Sequence, residues 1–308
     1  MPMEGQDQMS TADGKFASAT GSGPGVGRDI ARGLASEDAH TAAHTAMQDE
    51  EKNVVLFHRD GPVGVITLNR PRVLNAVDAA LSDALGAVLD EFDRDPGLRV
   101  GVVTGAGRAF CAGADLAAFA DGESVLPTIH PEWGFAGLVE HYVSKPLIAA
   151  VNGVAVGGGT EIVLACDLAV LSSEATLGLP EVKRGLIAGG GGLIRLPGQI
   201  PPKIAAHAVF TGEPVSAEAA LRWGLVNSVV PPSEVLPEAL RLAHVIAANA
   251  PVAVRASKKI MAHAQAAGLE DRIWKVNSAE SDAVCASEDA LEGASAFAEK
   301  RPPVWRNR

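Results

Sequence analysis

Between Lys145 and Arg195 the chain sets two glutamates against two glycine-rich turns. Leu147 to Val151 is a short apolar run, the pattern of a buried strand. Gly157, Gly158 and Gly159 follow, and a helix-like stretch begins near Thr160. Consecutive glycines let backbone N–H groups approach a ligand closely, because no Cβ intervenes. The start of a helix adds unpaired N–H groups and a partial positive charge. Together they predict a site for an oxygen carrying negative charge. Glu161 falls in the first turn of that helix. Glu181 comes later, after Pro180 imposes an extended entry. Taken singly, the glycines read as a tight turn, Glu161 as a dipole partner and Glu181 as a surface carboxylate. Jointly, a carboxylate pair beside an oxyanion site predicts proton transfer next to a polarised carbonyl.

A matching half lies upstream. Val100 to Thr104 is short and β-branched, which favours a strand. It leads into Phe110-Cys111-Ala112-Gly113-Ala114-Asp115, a loop of mostly small residues whose backbone can also donate. Two separate backbone N–H groups are what an oxyanion hole requires. Asp115 reads equally as a loop cap and as a ligand contact.

These segments resemble the crotonase superfamily, the enoyl-CoA hydratase/isomerase family. The likeness rests on L-N-R-P-R-V-L-N-A at Leu68–Ala76, F-C-A-G-A-D-L at Phe110–Leu116, and the stretches Lys145–Asp167 and Leu177–Leu196. It continues through T-G-E-P-V-S-A-E-A-A-L-R-W-G-L-V-N from Thr211 and E-G-A-S-A-F-A-E-K-R from Glu292, so it covers residues 53 to 308 in order. The resemblance implies an α/β fold: a ββα spiral core with a C-terminal helical oligomerisation domain.

The resemblance also implies an acyl-CoA thioester substrate, whose thioester oxygen would sit between the N–H groups of Ala114 and Gly158. Glu161 and Glu181 match the two glutamates that act on one water in the family's hydratases. The reaction implied is addition of water across the C2=C3 bond of a 2-enoyl-CoA, giving a 3-hydroxyacyl-CoA. No metal and no cofactor is implied, coenzyme A being part of the substrate. Family members place the C2 proton mainly with Glu181 and the water with Glu161; the sequence alone does not divide those roles. By position, Arg72, Val73, Leu74, Ala112 and Asp115 border the CoA, and Phe297 and Lys300 reach the CoA of a neighbouring subunit. A homo-trimer or a dimer of trimers is the assembly implied. A non-catalytic CoA-binding relative is the alternative of another class, and the presence of both glutamates argues against it.

Composition is compatible with this reading. The chain has 308 residues, 47% hydrophobic and 20% charged, as expected of an α/β protein with a sizeable aliphatic core. Its formal net charge of −11 argues against a nucleic-acid partner held by bulk electrostatics. Local Lys and Arg can still oppose that sign for an anionic CoA. Cys111, Cys166 and Cys285 have no C-x-x-C spacing and read as thiols of a reducing, cytoplasmic compartment. Cys111 lies in the small-residue loop, but no His or Asn in sequence supports it as a nucleophile. No stretch has the length of a transmembrane helix, and the N-terminus lacks the apolar core of a secretory signal.

Three parts are expected. Residues 1 to 52 are a polar, flexible extension, 53 to 250 the spiral core, and 251 to 308 the helical domain. Within the core, Val54–His58 and Val63–Leu68 predict a hairpin around Asp60-Gly61. Leu81, Leu85, Val88, Leu89 and Phe92 give Asp78–Phe92 a helical apolar face. In the extension, the glycine-rich run Gly21–Gly27 imitates a dinucleotide loop. It lacks the apolar strand before it and the acidic strand after it. His40 and His44 have metal-ligand spacing with no third partner.

The acyl pocket is expected to draw on Leu116 and on the loop Asp121–Val139, which carries Trp133 and Phe135. That loop, the segment Arg195–Pro202 and the C-terminal run from Ser287 look most like the branch containing carnitinyl-CoA dehydratases. A trimethylammonium substrate would need an aromatic or acidic surround, for which Glu132, Trp133 and Phe135 are candidates. An ordinary short-chain enoyl pocket is the favoured reading of the same residues.

Overall fold

A computed structural model of the chain describes residues 53–249, 251–266, 282 and 285–304. The glycine-rich run near residue 25 and the pair His40 and His44 lie outside the described residues. The described residues group as one compact unit.

Two sheets organise it. The larger holds β1 (Val55–Asp60), β2 (Val63–Leu68), β3 (Val100–Gly105), β5 (Leu147–Val151), β7 (Leu168–Ser172) and β10 (Ser228–Val230), in that spatial order. Strands β1 and β2 form the expected hairpin, and every later pairing in this sheet is parallel. Gly61 turns the hairpin with φ of +55°, a conformation without penalty only for glycine. The smaller sheet holds β4 (Ala109–Cys111), β6 (Val154–Val156), β8 (Thr176–Gly178) and β9 (Val215–Ser216). The chain therefore winds as a spiral. β3 then β4, β5 then β6, and β7 then β8 each send one strand to either sheet before a helical segment closes the turn.

The helices are α1 (Ala79–Arg94), α2 (Leu116–Ala120), α3 (Gly158–Ala165), α4 (Gly192–Gln199), α5 (Pro202–Thr211), α6 (Ala217–Arg222), α7 (Val235–Ala247), α8 (Pro251–Ala266) and α9 (Glu288–Ala298). Asp78 caps α1 by accepting the Leu81 N–H at 2.8 Å, and Leu81, Leu85, Leu89 and Phe92 bury the predicted face. At the other end of α1, the buried Lys145 ammonium donates to the carbonyls of Phe92 and Asp95, each at 2.6 Å. A cation there satisfies free carbonyls and opposes the helix dipole.

Strands β3 and β5 are buried on both faces, as a covered parallel sheet requires. Val102, Ile148, Ala150 and Val170 pack under Val235, Ala239, Ala243 and Ala247 of α7. The alternate residues Val103, Ala149, Val151 and Leu171 face the main core with Phe110, Ile162 and Leu177. Helix α9 lies against α2 and against a 3₁₀ turn, Pro180–Arg184. No helix among the described residues is long and apolar enough to cross a membrane.

Candidate active site

The Gly157–Gly159 turn is the start of α3. Gly157 caps it with φ of 57° and ψ of −129°, a combination open to glycine and strained for residues with a Cβ. Its own N–H donates to Gly178 O at 2.9 Å, and the buried Thr160 hydroxyl accepts the Gly178 N–H at 2.9 Å. The helix start is thereby fastened to β8. The N–H of Gly158, the first helical residue, has no intrahelical acceptor.

The small-residue loop meets this turn from the other side. Val77 N–H donates to Gly113 O at 2.8 Å and Asp115 N–H to Val77 O at 2.9 Å. In that parallel bridge the N–H of Ala114 itself is turned away from the pairing. Gly113 has φ of +87°, and a Cβ there would lie 3.0 Å from Gly158 N and 2.8 Å from Val156 O. A Cβ on Gly159 would lie 2.1 Å from Cys111 O. Glycine is thus what allows the 111–113 segment to close on the start of α3. Among the described residues no hydrogen bond uses the N–H of Ala114 or of Gly158.

The second glycine turn wraps Glu161. Gly192 N–H donates to Glu161 Oε1 at 2.8 Å, and a Cβ on Gly190 would stand 2.6 Å from Oε2. Glu161 is only 4% exposed. Burial pushes its carboxyl up to about 7, against the N–H groups of Gly192 and Gly190 and the Arg195 guanidinium, which favour the anion. Glu181 sits on the 3₁₀ turn, its Oε1 3.3 Å from where a Gly157 Cβ would be. Its Oε2 is buried with no hydrogen-bond partner among the described residues. Burial, and then the neighbouring Glu161 charge, pushes it up to about 8. Two carboxyls therefore share one desolvated pocket, Glu161 held by the N–H groups of Gly192 and Gly190 and Glu181 opposed by the Glu161 charge.

The residues expected around the substrate fall in different places. Phe135 is buried with its ring against Gly158, 2.3 Å from where a Cβ would be, and its Cβ borders Gly190. Trp133 covers Gly86 of α1 instead. Its ring is stacked between His130, at 4.0 Å between centroids, and His141, at 4.2 Å. Leu116 is half-buried at the start of α2. Asp115 caps that helix, accepting from Ala117 and Ala118 N–H, and pairs with Arg70 at 3.2 Å. Arg72 and Val73 are exposed on a 3₁₀ turn ending at Leu74, whose carbonyl accepts the Ala112 N–H at 3.0 Å. These four form one edge beside the Ala114 loop.

Phe297 lies under the Arg184 guanidinium, 5.0 Å from its ring centre, and Lys300 is exposed just beyond the end of α9. Phe297 is thus packed against the Glu181 turn of its own chain. Cys111 is buried, its thiol pushed up to about 12 by burial and donating to Asn75 O at 3.1 Å. That is the state of an inert core thiol. Among the described residues no three His, Cys, Asp or Glu side chains converge on a metal position.

The sequence model of the enoyl-CoA hydratase/isomerase family matches residues 58–308. The chain belongs to that family. It is 46% identical over 255 residues to a carnitinyl-CoA dehydratase of Salmonella typhi, covering 81% of this chain and 97% of that protein. Among solved structures, a carnitinyl-CoA hydratase from Mycobacterium avium is similar with 50% identity and a TM-score of 0.80 over 83% of this chain and 99% of that one. An enoyl-CoA hydratase from Mycobacterium tuberculosis H37Rv is similar with 44% identity and a TM-score of 0.66, over 83% and 100%.

Sequence reasoning missed one residue of this family member's site region. Asn75 is fully buried between the turn at Pro71 and the end of β4. Its signal was an Asn following Leu74 in an apolar context, a type that tolerates left-handed backbone.

Proposed function

We propose that the protein is an enoyl-CoA hydratase, a hydro-lyase that adds water to a 2-enoyl-CoA. The observation that carries the reading is the pair of desolvated carboxyls, Glu181 facing the Glu161 charge, beside two glycine-rich turns. The unbonded N–H groups of Ala114 and Gly158 support an oxyanion site there. Glu161, held by backbone N–H groups, is the one suited to be ionised. Glu181, desolvated and facing that charge with its Oε2 unbonded, is suited to stay protonated.

The chemistry follows from those states. Glu161 accepts a proton from water as the water oxygen bonds to C3. The C2=C3 π electrons move toward the thioester, whose oxygen takes up negative charge between Ala114 and Gly158. Glu181 gives its proton to C2, the thioester carbonyl re-forms, and one proton passed from Glu161 to Glu181 restores the starting pair. Loss of one oxyanion-hole donor typically costs about 2.7–4 kcal/mol in acyl-transfer enzymes. No electrons are exchanged, so no redox cofactor is called for.

Incubation with crotonyl-CoA should lower the enoyl-thioester absorbance to its equilibrium level and yield the 3-hydroxyacyl product. Glu161→Gln and Glu181→Gln should each reduce turnover by orders of magnitude while CoA still binds. Near-normal turnover by either variant would refute the paired-carboxyl mechanism.

A second substrate, crotonobetainyl-CoA, is favoured by the names of the Salmonella and M. avium relatives. Both faces of Trp133 are already covered by imidazoles, which leaves Phe135 as the aromatic beside the carboxyls. A trimethylammonium group would therefore find a smaller cage than the sequence suggested, and we favour the uncharged short-chain substrate. Comparing kcat/KM for the two thioesters decides between them. As to assembly, a homo-trimer or pair of trimers is proposed on family likeness, and sedimentation equilibrium would test it.

A further inference from the structure

We propose that Asn75 is a positioning residue for the oxyanion site, aiming the Ala114 N–H by locking two chain segments in register. The proposal rests on the reading of Ala114 and Gly158 as the two donors. Leu74 and Asn75 are consecutive residues in the left-handed region, with φ of 55° and 57°. Leucine is disfavoured there, so the surroundings must impose the conformation. The Asn75 side chain supplies that constraint. The two hydrogens of its amide nitrogen are shared among three carbonyls, Ala109 O at 2.9 Å, Ala106 O at 3.0 Å and Phe110 O at 3.1 Å. Its Oδ1 accepts the Arg70 N–H at 2.9 Å. On the main chain, its N–H donates to Arg70 O at 2.9 Å and its carbonyl accepts the Cys111 thiol at 3.1 Å. A Cβ on Gly105 would lie 2.8 Å from the amide nitrogen, so the amide fills its slot.

One buried amide thus ties the turn at Pro71 to the β3–β4 connection and to β4. From there the two segments run side by side. Leu74 O accepts from Ala112 N, Gly113 O from Val77 N, and Val77 O from Asp115 N. A slip or rotation of 74–77 must carry 112–115 with it. Gly113 is seated against Gly158 N and Val156 O, so the loop cannot re-seat by small shifts. The direction of the Ala114 N–H is therefore a consequence of how Asn75 is bonded, although Asn75 does not itself reach the site. A misplacement of about 1 Å is enough to lower a rate roughly a hundredfold.

The test reads carbonyl polarisation as well as rate. Asn75→Gly keeps the left-handed backbone accessible and removes only the amide. With crotonyl-CoA, kcat should fall between about tenfold and a hundredfold while KM changes by less than about threefold. The second reading uses crotonyl-CoA carrying ¹³C at the thioester carbonyl, bound to the slow Glu181→Gln variant, with the carbonyl stretch followed by difference infrared spectroscopy. It should be red-shifted relative to free thioester. Adding Asn75→Gly should return the band toward the free value. A red shift and kcat retained in Asn75→Gly, with only a lowered Tm, would overturn the positioning role and leave the oxyanion reading intact. Absence of any red shift in the Glu181→Gln parent would overturn the oxyanion reading and this proposal with it. Should Asn75→Gly not melt cooperatively, Asn75→Ser, which keeps a short donor, is read by the same two measurements.

Discussion

The ring of Phe135 stands 2.3 Å from the point that a Cβ on Gly158 would occupy. The glycine here serves close approach, since Gly158 is not in the left-handed region. Gly158→Ala must therefore displace either the ring or the start of α3. We expect it to lower kcat/KM by at least about tenfold. Phe135→Ala added to it should recover part of the loss by opening space. A double variant no better than the single would show that crowding by the ring is not the cause.

The two carboxyls should give a bell-shaped pH profile. Hydration needs Glu161 ionised, which sets in as pH rises through about 7. It needs Glu181 protonated, which is lost as pH rises through about 8. The apparent values belong to the pair. Arg195 favours the Glu161 anion and is anchored to Val139 O at 2.5 Å. Arg195→Met should move the rising limb of kcat/KM to higher pH, and Arg195→Lys should move it less. A rising limb that stays in place in Arg195→Met would remove Arg195 from the electrostatics of the site.

The same burial has a stability consequence. Glu181 rises from an ordinary 4.5 to about 8 in the folded chain, so the native state holds its proton more tightly than the unfolded one. Stability is then greatest below about 4.5 as far as this group is concerned, and falls as pH rises toward 8. At about 1.4 kcal/mol per pKa unit, the loss is on the order of a few kcal/mol. Glu181→Gln cannot ionise, so it should be more stable than wild type at pH 9 and closer to it at pH 5. Denaturant midpoints at the two pH values measure this. A variant equally or less stable at pH 9 would contradict the desolvated state of the carboxyl.

Part of this fold and site is legible in the sequence. The β1–β2 hairpin and α1 follow from periodicity and the Asp78 cap, because each is stabilised by neighbours in sequence. Helix α3 begins at Gly158, two residues ahead of the expected Thr160, because Gly157 caps it without a side chain and leaves no capping signal. The small sheet escaped sequence reasoning, since β9 has two residues and its partners three, too few for alternation to register. The sequence pairs Glu161 and Glu181 beside its glycine-rich turns, but their burial depends on Gly190, Gly192 and Gly157 packing around them. For the same reason Trp133 and Phe135, two residues apart, could not be sorted: one is claimed by α1 and two histidines, the other by Gly158. Asp115 proved to be a helix cap paired with Arg70, the local reading of its position.

The tail offers a contrast between contact and charge. A Cβ on Gly293 would lie 1.7 Å from Arg184 O, so α9 approaches the Glu181 turn along bare backbone. Gly293→Ala must push the helix off that turn or distort it, and overpacking of this kind typically costs about 1–3 kcal/mol. Because Glu181 is carried on the distorted segment, kcat should fall. Lys300 lies beyond the helix and is exposed, so Lys300→Ala leaves the turn alone. If its charge meets a CoA phosphate, KM should rise at low salt, less so at high salt where screening is strong, with kcat almost unchanged. Salt-dependent kinetics of the two variants separate the roles. Unchanged KM for Lys300→Ala at low salt would remove the lysine from CoA binding, and unchanged kcat for Gly293→Ala would show that α9 does not hold Glu181 in place.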